Sequence, residues 1–241
     1  MSLPNEKGLN AIQFYVTTKY SCGYIKNKSA QSLVAAPYKK IDDVAYNNLI
    51  KEGFRRSGQY VYKPRCENCQ ACIPIRLTAK NFTISRSQKR VKNSHSHIQV
   101  KILPLKFYEE HFQLYSEYQN NRHEANNQVE ENITDYNDFL IKSNVESRLI
   151  EFKIDNKLVM VTIIDVMEEG ISAVYTFYDC NYNKYSFGTY SILWLLDYCL
   201  INKIPHLYLG YWIAQSSKMK YKINFKPYEL MIDDSWQNPN E

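Results

Sequence analysis

Residues 148–179 read RLIEFKIDNKLVMVTIIDVMEEGISAVYTFYD. Three runs rich in β-branched and aromatic residues, RLIEFKI, LVMVTIIDV and ISAVYTFYD, are separated by the turn-forming DNK and MEEG. Turns this short join antiparallel neighbours, so the stretch predicts a three-stranded meander. Residues 186–203, SFGTYSILWLLDYCLINK, follow as an apolar helix buried on most faces. HLYLGYW, residues 206–212, reads as a further buried strand. Together these predict an α+β unit from about residue 101 to the end, a mixed sheet flanked by helices.

Working outward, IQVKILP (98–104) reads as a strand and KFYEEHFQLYSEYQNNRH (106–123) as a helix with aromatics at helical spacing. NNQVEEN (126–132) reads as a polar loop, and ITDYNDFLIKS (133–143) as a second helix. Beyond the meander, QSSKMKYKINF (215–225) predicts a short basic helix and YELMI (228–232) a final strand. In the first hundred residues, DDVAYNNLIKEGF (42–54) predicts a helix capped by Asp42 or Asp43 and stopped at Gly53. YVY and IPIRL read as short strands around the cysteines, and TISRSQKRVKNSH (83–95) as a basic helix capped by Ser85 or Ser87. The expected organisation is residues 1–100 as a cysteine-containing, basic α/β part and residues 101–241 as the α+β unit.

The net charge of +5 conceals an asymmetry. Residues 51–101 carry twelve Lys/Arg against Glu52 and Glu67, while residues 109–138 carry eight acids against Arg122 alone. So concentrated a positive segment predicts an anionic partner rich in phosphate. The 21 tyrosines suit stacking on bases or packing a core with one wet edge. No G-x-x-x-x-G-K-[ST] or G-x-G-x-x-G occurs, which disfavours an ATP-hydrolysing or dinucleotide-using enzyme. MSLPNEKGLN has no apolar signal region, and the longest apolar run is far too short for a bilayer. A cytoplasmic protein with no membrane partner is expected, its six cysteines reduced. In PRCENCQACIPIR (64–76), Cys66, Cys69 and Cys72 have metal-ligand spacing but lack a fourth ligand at regular distance. Cys180 and Cys199 stand singly as packing residues, His95 and His97 extend a basic surface, and His206 starts a strand.

The order of elements resembles the acetyltransferase-like fold, whose bulged sheet splays to admit an activated acyl donor. In that fold the helix after the meander receives donor phosphates at its N-terminus. Phe187, Gly188 and Thr189 occupy that place here, glycine letting the donor approach the backbone. Seven motifs sharpen the resemblance: GFRRSG (53–58), residues 62–76 with their cysteines, SRSQKR (85–90), SAVYTFYD (172–179), LGYWI (209–213), KMKYK (218–222) and FKPYE (225–229). In this order they resemble the bacterial leucyl-tRNA–protein transferases (aspartate/glutamate leucyltransferases), relatives of the arginyl-tRNA–protein transferases.

The resemblance implies an N-degron enzyme that moves leucine from Leu-tRNA to the α-amine of proteins beginning with Asp or Glu. Its partners would be aminoacyl-tRNA and such proteins, with no DNA and no membrane. An aminoacyl ester is already activated, so no cofactor is required for catalysis. On this reading Arg76, Arg86, Lys89 and Arg90 clamp the acceptor carboxylate or tRNA phosphates, with Lys218, Lys220, Lys222 and Lys226 holding the polyanion. Gly188 and Tyr221 join the donor site, and Tyr211 and Trp212 stack the terminal adenosine. Tyr175, Tyr178 and Asp179 line the reaction centre, Asp179 orienting or deprotonating the amine. Each has a plainer alternative: surface charge for the arginines, core packing for Tyr175 and Trp212, a turn cap for Asp179. Eukaryotic relatives carry Cys-Gly-Tyr-Cys where this chain has Ser21, Cys22, Gly23, Tyr24 and Ile25, so the motif's second cysteine is absent. Cys22 with Cys66, Cys69 and Cys72 makes four thiolates, the number zinc or an iron–sulfur cluster takes; three reduced thiols in a loop is the alternative. Competing readings are arginine as the donated residue, an acyl-CoA N-acyltransferase, and a non-catalytic tRNA-binding metal knuckle.

Overall fold

In a computed structural model, residues 12–122 and 132–239 are described. The chain opens with β1 (Gln13–Val16), a short pair β2 (Tyr20–Ser21) and β3 (Ser29–Ala30), then β4 (Ser32–Ala36). Helix α1 (Asp43–Lys51) starts where the Asp42 carboxylate accepts the Ala45 N–H at 2.9 Å. It buries Ala45, Tyr46, Leu49 and Ile50, a single stripe at helical spacing. Gly53, at φ +81, turns the chain beyond the helix. Strands β5 (Arg55–Ser57) and β6 (Tyr60–Pro64) follow, and the first sheet is antiparallel in the order β1-β4-β6-β5. Sequence periodicity does not predict this sheet beyond β6, because β1 is exposed throughout and β5 has three residues.

Next come β7 (Ile73–Thr78), α2 (Arg86–Ser94), β8 (Gln99–Pro104) and α3 (Glu109–Arg122). Ser85 caps α2 in a reciprocal box with Gln88, the arrangement its sequence predicts. The expected polar loop at 126–132 lies outside the described residues except for Asn132, which caps α4 (Ile133–Tyr136); a π-helical turn, Asn137–Ile141, follows it. The meander is β9 (Ser147–Ile154), β10 (Lys157–Met167) and β11 (Gly170–Tyr178). Helix α5 (Phe187–Ile201), β12 (His206–Trp212), β13 (Glu229–Ile232) and β14 (Ser235–Gln237) complete the chain; residues 220–224 form a 3-10 helix.

The second sheet is mixed, with eight strands in the order β14-β13-β7-β12-β11-β10-β9-β8. β7, from the first hundred residues, lies between two strands from beyond residue 200. Among the described residues, only β11 and β12 are parallel neighbours, as the α5 crossover between them requires. Helix α5 is apolar all round and packs with α2 against one face, burying Ile192, Leu195 and Leu196 against Ile75, Leu77 and Leu207. Tyr115 and Tyr118 of α3 pack on the other face with Leu149, Ile163 and Phe177. No helix among the described residues is long and apolar enough to cross a membrane.

A buried ion pair joins the two sheets. Arg56 of β5 donates Nη2 to Asp165 of β10 at 2.6 Å, with the side chains 1% and 0% exposed. Asp165 also accepts from the Tyr46 hydroxyl at 2.9 Å and the Ser147 hydroxyl at 2.7 Å. Arg56 Nη1 reaches the Gly58 carbonyl at 2.9 Å. Removing one partner leaves the other charge buried and unpaired, at a cost of roughly 3–5 kcal/mol. Asp165→Ala is therefore expected to lower the unfolding free energy by about that amount, read as a reduced urea midpoint at unchanged slope.

Candidate active site

β11 and β12 pair only where Gly170, Ile171 and Ser172 face His206, Leu207 and Tyr208. Each strand carries one extra residue just past that point. Val174 has no partner of its own opposite Ile163 and Ile164, and Leu209 and Gly210 together face Ile75. The strands fork there, and the fork holds a cavity of about 530 Å³. β5, the loop at Tyr24, the first turns of α5 and residues 217–222 close it.

The bulges release backbone carbonyls, and two cations take them up. Arg55 Nη2 donates to the Ala173 carbonyl at 2.6 Å, while its Nη1 is buried without a hydrogen-bond partner. Lys222 is only 8% exposed, and its Nζ donates to the Leu209 and Tyr211 carbonyls at 2.7 and 2.8 Å. Burial and the Arg55 charge push the Lys222 amine down to about 7. Gly210, at φ +77, sits under the guanidinium; a Cβ there would lie 2.6 Å from Arg55 Nη1. The remaining wall is largely tyrosine (Tyr24, Tyr62, Tyr118, Tyr175, Tyr178, Tyr211) with apolar Val174, Ile192 and Met219. Among the described residues lining it there is no Asp, Glu, His or Cys.

The fork gathers Tyr175, Gly188, Tyr211, Lys218, Tyr221 and Lys222 on one cavity. The Tyr175 hydroxyl donates to Gln119 Oε1 at 3.3 Å. Open space lies in front of Gly188. Tyr211 is 5% exposed; its hydroxyl, raised by burial, donates to the Gly53 carbonyl at 2.9 Å. Lys222 is held by carbonyls in the interior. Asp179 lies outside the lining, 4% exposed, accepting from Lys157 at 2.8 Å and from the Asn181 amide. Burial alone would raise its carboxyl, but the Lys157 and Asn181 contacts hold it below the ordinary value. Trp212 is half-buried against the core, its indole nitrogen without a partner. Arg76 is elsewhere, paired with Glu229 and over the Trp236 ring at 4.5 Å. Arg86, Lys89 and Arg90 are exposed on α2. That helix borders a second cavity of about 450 Å³, lined by Ser85, Ser87, Thr189, Tyr221 and Lys226. His95 is not on a basic surface: it is 1% exposed and stacked on Tyr190, because α2 packs against α5.

Two family descriptions match this chain: "Arginine-tRNA-protein transferase, N terminus" over residues 20–90 and "Arginine-tRNA-protein transferase, C terminus" over residues 110–232. The chain belongs to this family. "Aspartate/glutamate leucyltransferase" from Methylobacillus flagellatus is 52% identical over 98% of this chain and 96% of its own length. The protein of that name from Polynucleobacter necessarius is 44% identical over 98% and 96%. Among solved structures, L-PGS from Bacillus licheniformis is 14% identical with a TM-score of 0.47, covering 60% of this transferase and 48% of that chain.

The four thiols expected as candidate metal ligands, Cys22, Cys66, Cys69 and Cys72, are neighbours in this transferase. Burial, then the proximity of Cys22, Cys66 and Cys69, pushes the Cys72 thiol up to about 12. Cys66 and Cys69 face each other across an isolated bridge, and Cys22 Sγ accepts the Ile25 N–H at 3.4 Å. Among the described residues, however, no three His, Cys, Asp or Glu side chains are disposed to hold a metal ion. The thiols in this arrangement do not fit a metal cage.

Reasoning from sequence passed over Arg55 as a site residue, although it lies inside the GFRRSG motif. One signal for it was present: neighbouring residues on a strand face opposite sides, so Arg55 and Arg56 must have different environments. For Tyr211, burial sets the expectation. Tyr211→Ala should cost roughly 3–5 kcal/mol, as for other emptied aromatic sites, measured by chemical denaturation.

Proposed function

We propose that this transferase moves leucine from Leu-tRNA to the α-amine of proteins beginning with Asp or Glu, marking them for degradation. The lining of the fork carries this reading: cations, tyrosines and apolar groups, with no carboxylate among the described residues. An acidic acceptor side chain finds Arg55 and Lys218 there. A leucyl side chain needs only the apolar wall of Val174, Ile192 and Met219, whereas an arginyl side chain would meet like charges and no acid. The names of the relatives agree with this donor and these acceptors.

The same cavity supports an acetyltransferase-like fold. The parallel strands β11 and β12 fork at paired bulges, joined by a crossover helix whose first turn faces the opening. Tyr221 borders both cavities, and the second lies between the N-terminal ends of α2 and α5 with Lys226 beside it. That arrangement suits the phosphates of the donor's terminal nucleotides, while exposed Arg86, Lys89 and Arg90 extend the basic surface. The aminoacyl ester arrives activated, so the protein's task is to position two substrates and manage one proton.

Purified protein would be offered tRNA charged with labelled leucine or arginine, and peptides beginning with Asp, Glu, Lys, Arg or Ala. Leucine on the Asp and Glu peptides alone is the expected outcome; arginine on the same peptides, or no transfer, would refute the donor assignment. Arg55→Met should raise KM for the Asp peptide roughly 10–100-fold, the worth of a charged hydrogen bond, with Leu-tRNA affinity little changed.

A further inference from the structure

We propose that the amine of Lys222 is the proton acceptor of this transfer. It takes a proton from the attacking α-amine and delivers it to the departing ribose oxygen. This rests on the function proposed above. The acceptor nitrogen's lone pair forms the new C–N bond, and the ester C–O bond breaks. The proton shed by the nitrogen rests on Nζ before it leaves with the ribose hydroxyl, so the amine ends as it began.

The lining narrows the candidates. Guanidinium groups do not release or accept protons at neutral pH, and no Asp, Glu, His or Cys is among the described lining residues. Lys218 is exposed at the rim. The tyrosine hydroxyls that line the cavity are weak acids, those of Tyr24 and Tyr211 raised further by burial. Asp179 is committed to Lys157 and Asn181 outside the cavity. Lys222 remains.

The hydrogen bonds around Lys222 suit the role. A neutral amine has two N–H donors and one lone pair; the Leu209 and Tyr211 carbonyls take both donors, leaving the lone pair for a proton. Both carbonyls lie beyond Ser172 and Tyr208, where β12 no longer pairs with β11. The charged group that bears on Lys222 is Arg55 of β5, a cation that favours the neutral amine. Arg56 also lines the cavity, but Asp165 neutralises it. From β11 the titratable groups are Tyr175 and Tyr178, from β12 Tyr211, and α5 brings none to the cavity. Burial and Arg55 together bring Lys222 to about 7, where a base is poised for general catalysis at neutral pH.

The test measures single-turnover transfer of labelled leucine to Asp peptides across pH, using wild type, Lys222→Met and Lys222→Arg. Two acceptor peptides with different α-amine pKa values are compared. Both variants should slow transfer about 10²–10⁴-fold, the usual contribution of a general base, while binding Leu-tRNA within about threefold of wild type. Lys222→Arg can still donate to the carbonyls but cannot accept a proton, so its defect would separate proton transfer from hydrogen bonding. In wild type, the rate should fall below about pH 7 with both peptides, the break staying put when the acceptor amine changes. A folded, tRNA-binding variant within tenfold of wild type would overturn the assignment. So would the absence, with both peptides, of any break near pH 7 that stays put when the acceptor amine changes, a result that needs no variant to fold. Wild-type transfer in the same reactions reports on the function itself, so either outcome refutes Lys222 alone.

Discussion

The pairing of Arg56 with Asp165 is the constraint on which the architecture turns. Two charges taken fully out of water are tolerable only when their hydrogen-bonding capacity is met, and here Tyr46, Ser147 and the Gly58 carbonyl share that task. With Arg56 of β5 and Asp165 of β10, these groups come from α1, the turn after β5 and β9, so the pair fixes the small sheet's position on the large one. Arg55 is the next residue along the same strand. Alternation on a strand turns it to the other side, and anchoring Arg56 thereby delivers Arg55 to the fork.

The fork itself is a consequence of lost pairing. Two parallel strands with one extra residue each cannot remain in register, and beyond Ser172 and Tyr208 they separate. Carbonyls that would have entered the ladder need other donors, and Arg55 and Lys222 supply them. One distortion therefore opens the cavity and recruits cations to its wall. Burial first, and then the Arg55 charge, depresses the basicity of the Lys222 amine.

Much of the fold was legible before the structure. The meander, the apolar α5, the capped α2 and the strands at 73–78 and 206–212 follow from periodicity and capping, which are local properties. The small sheet was not legible beyond β6. β1 and β5 are short, and β1 has no buried face, so no hydrophobic pattern marks them. The π-helical turn after α4 and the last strand, β14, likewise leave no local signature. At the site, sequence supplied the basic motif around Lys222 but pictured it meeting phosphate, because a lysine in a charged run is usually solvated. Lys222 is held by β12 carbonyls 13 and 11 residues away and faces Arg55 of β5, which is distant in sequence.

By itself the sequence determined which segments form helices and strands, the basic and acidic halves, and, through its ordered motifs, the family. Those are properties of neighbouring residues and of resemblance. Only the tertiary structure decided that Arg55 faces the cavity while Arg56 faces Asp165. It alone placed Asp179 outside the cavity lining and buried Lys222 between two carbonyls. A side chain's solvation and charge environment are set by whatever folds against it, and here the Ala173 carbonyl that holds Arg55 lies 118 residues away along the chain.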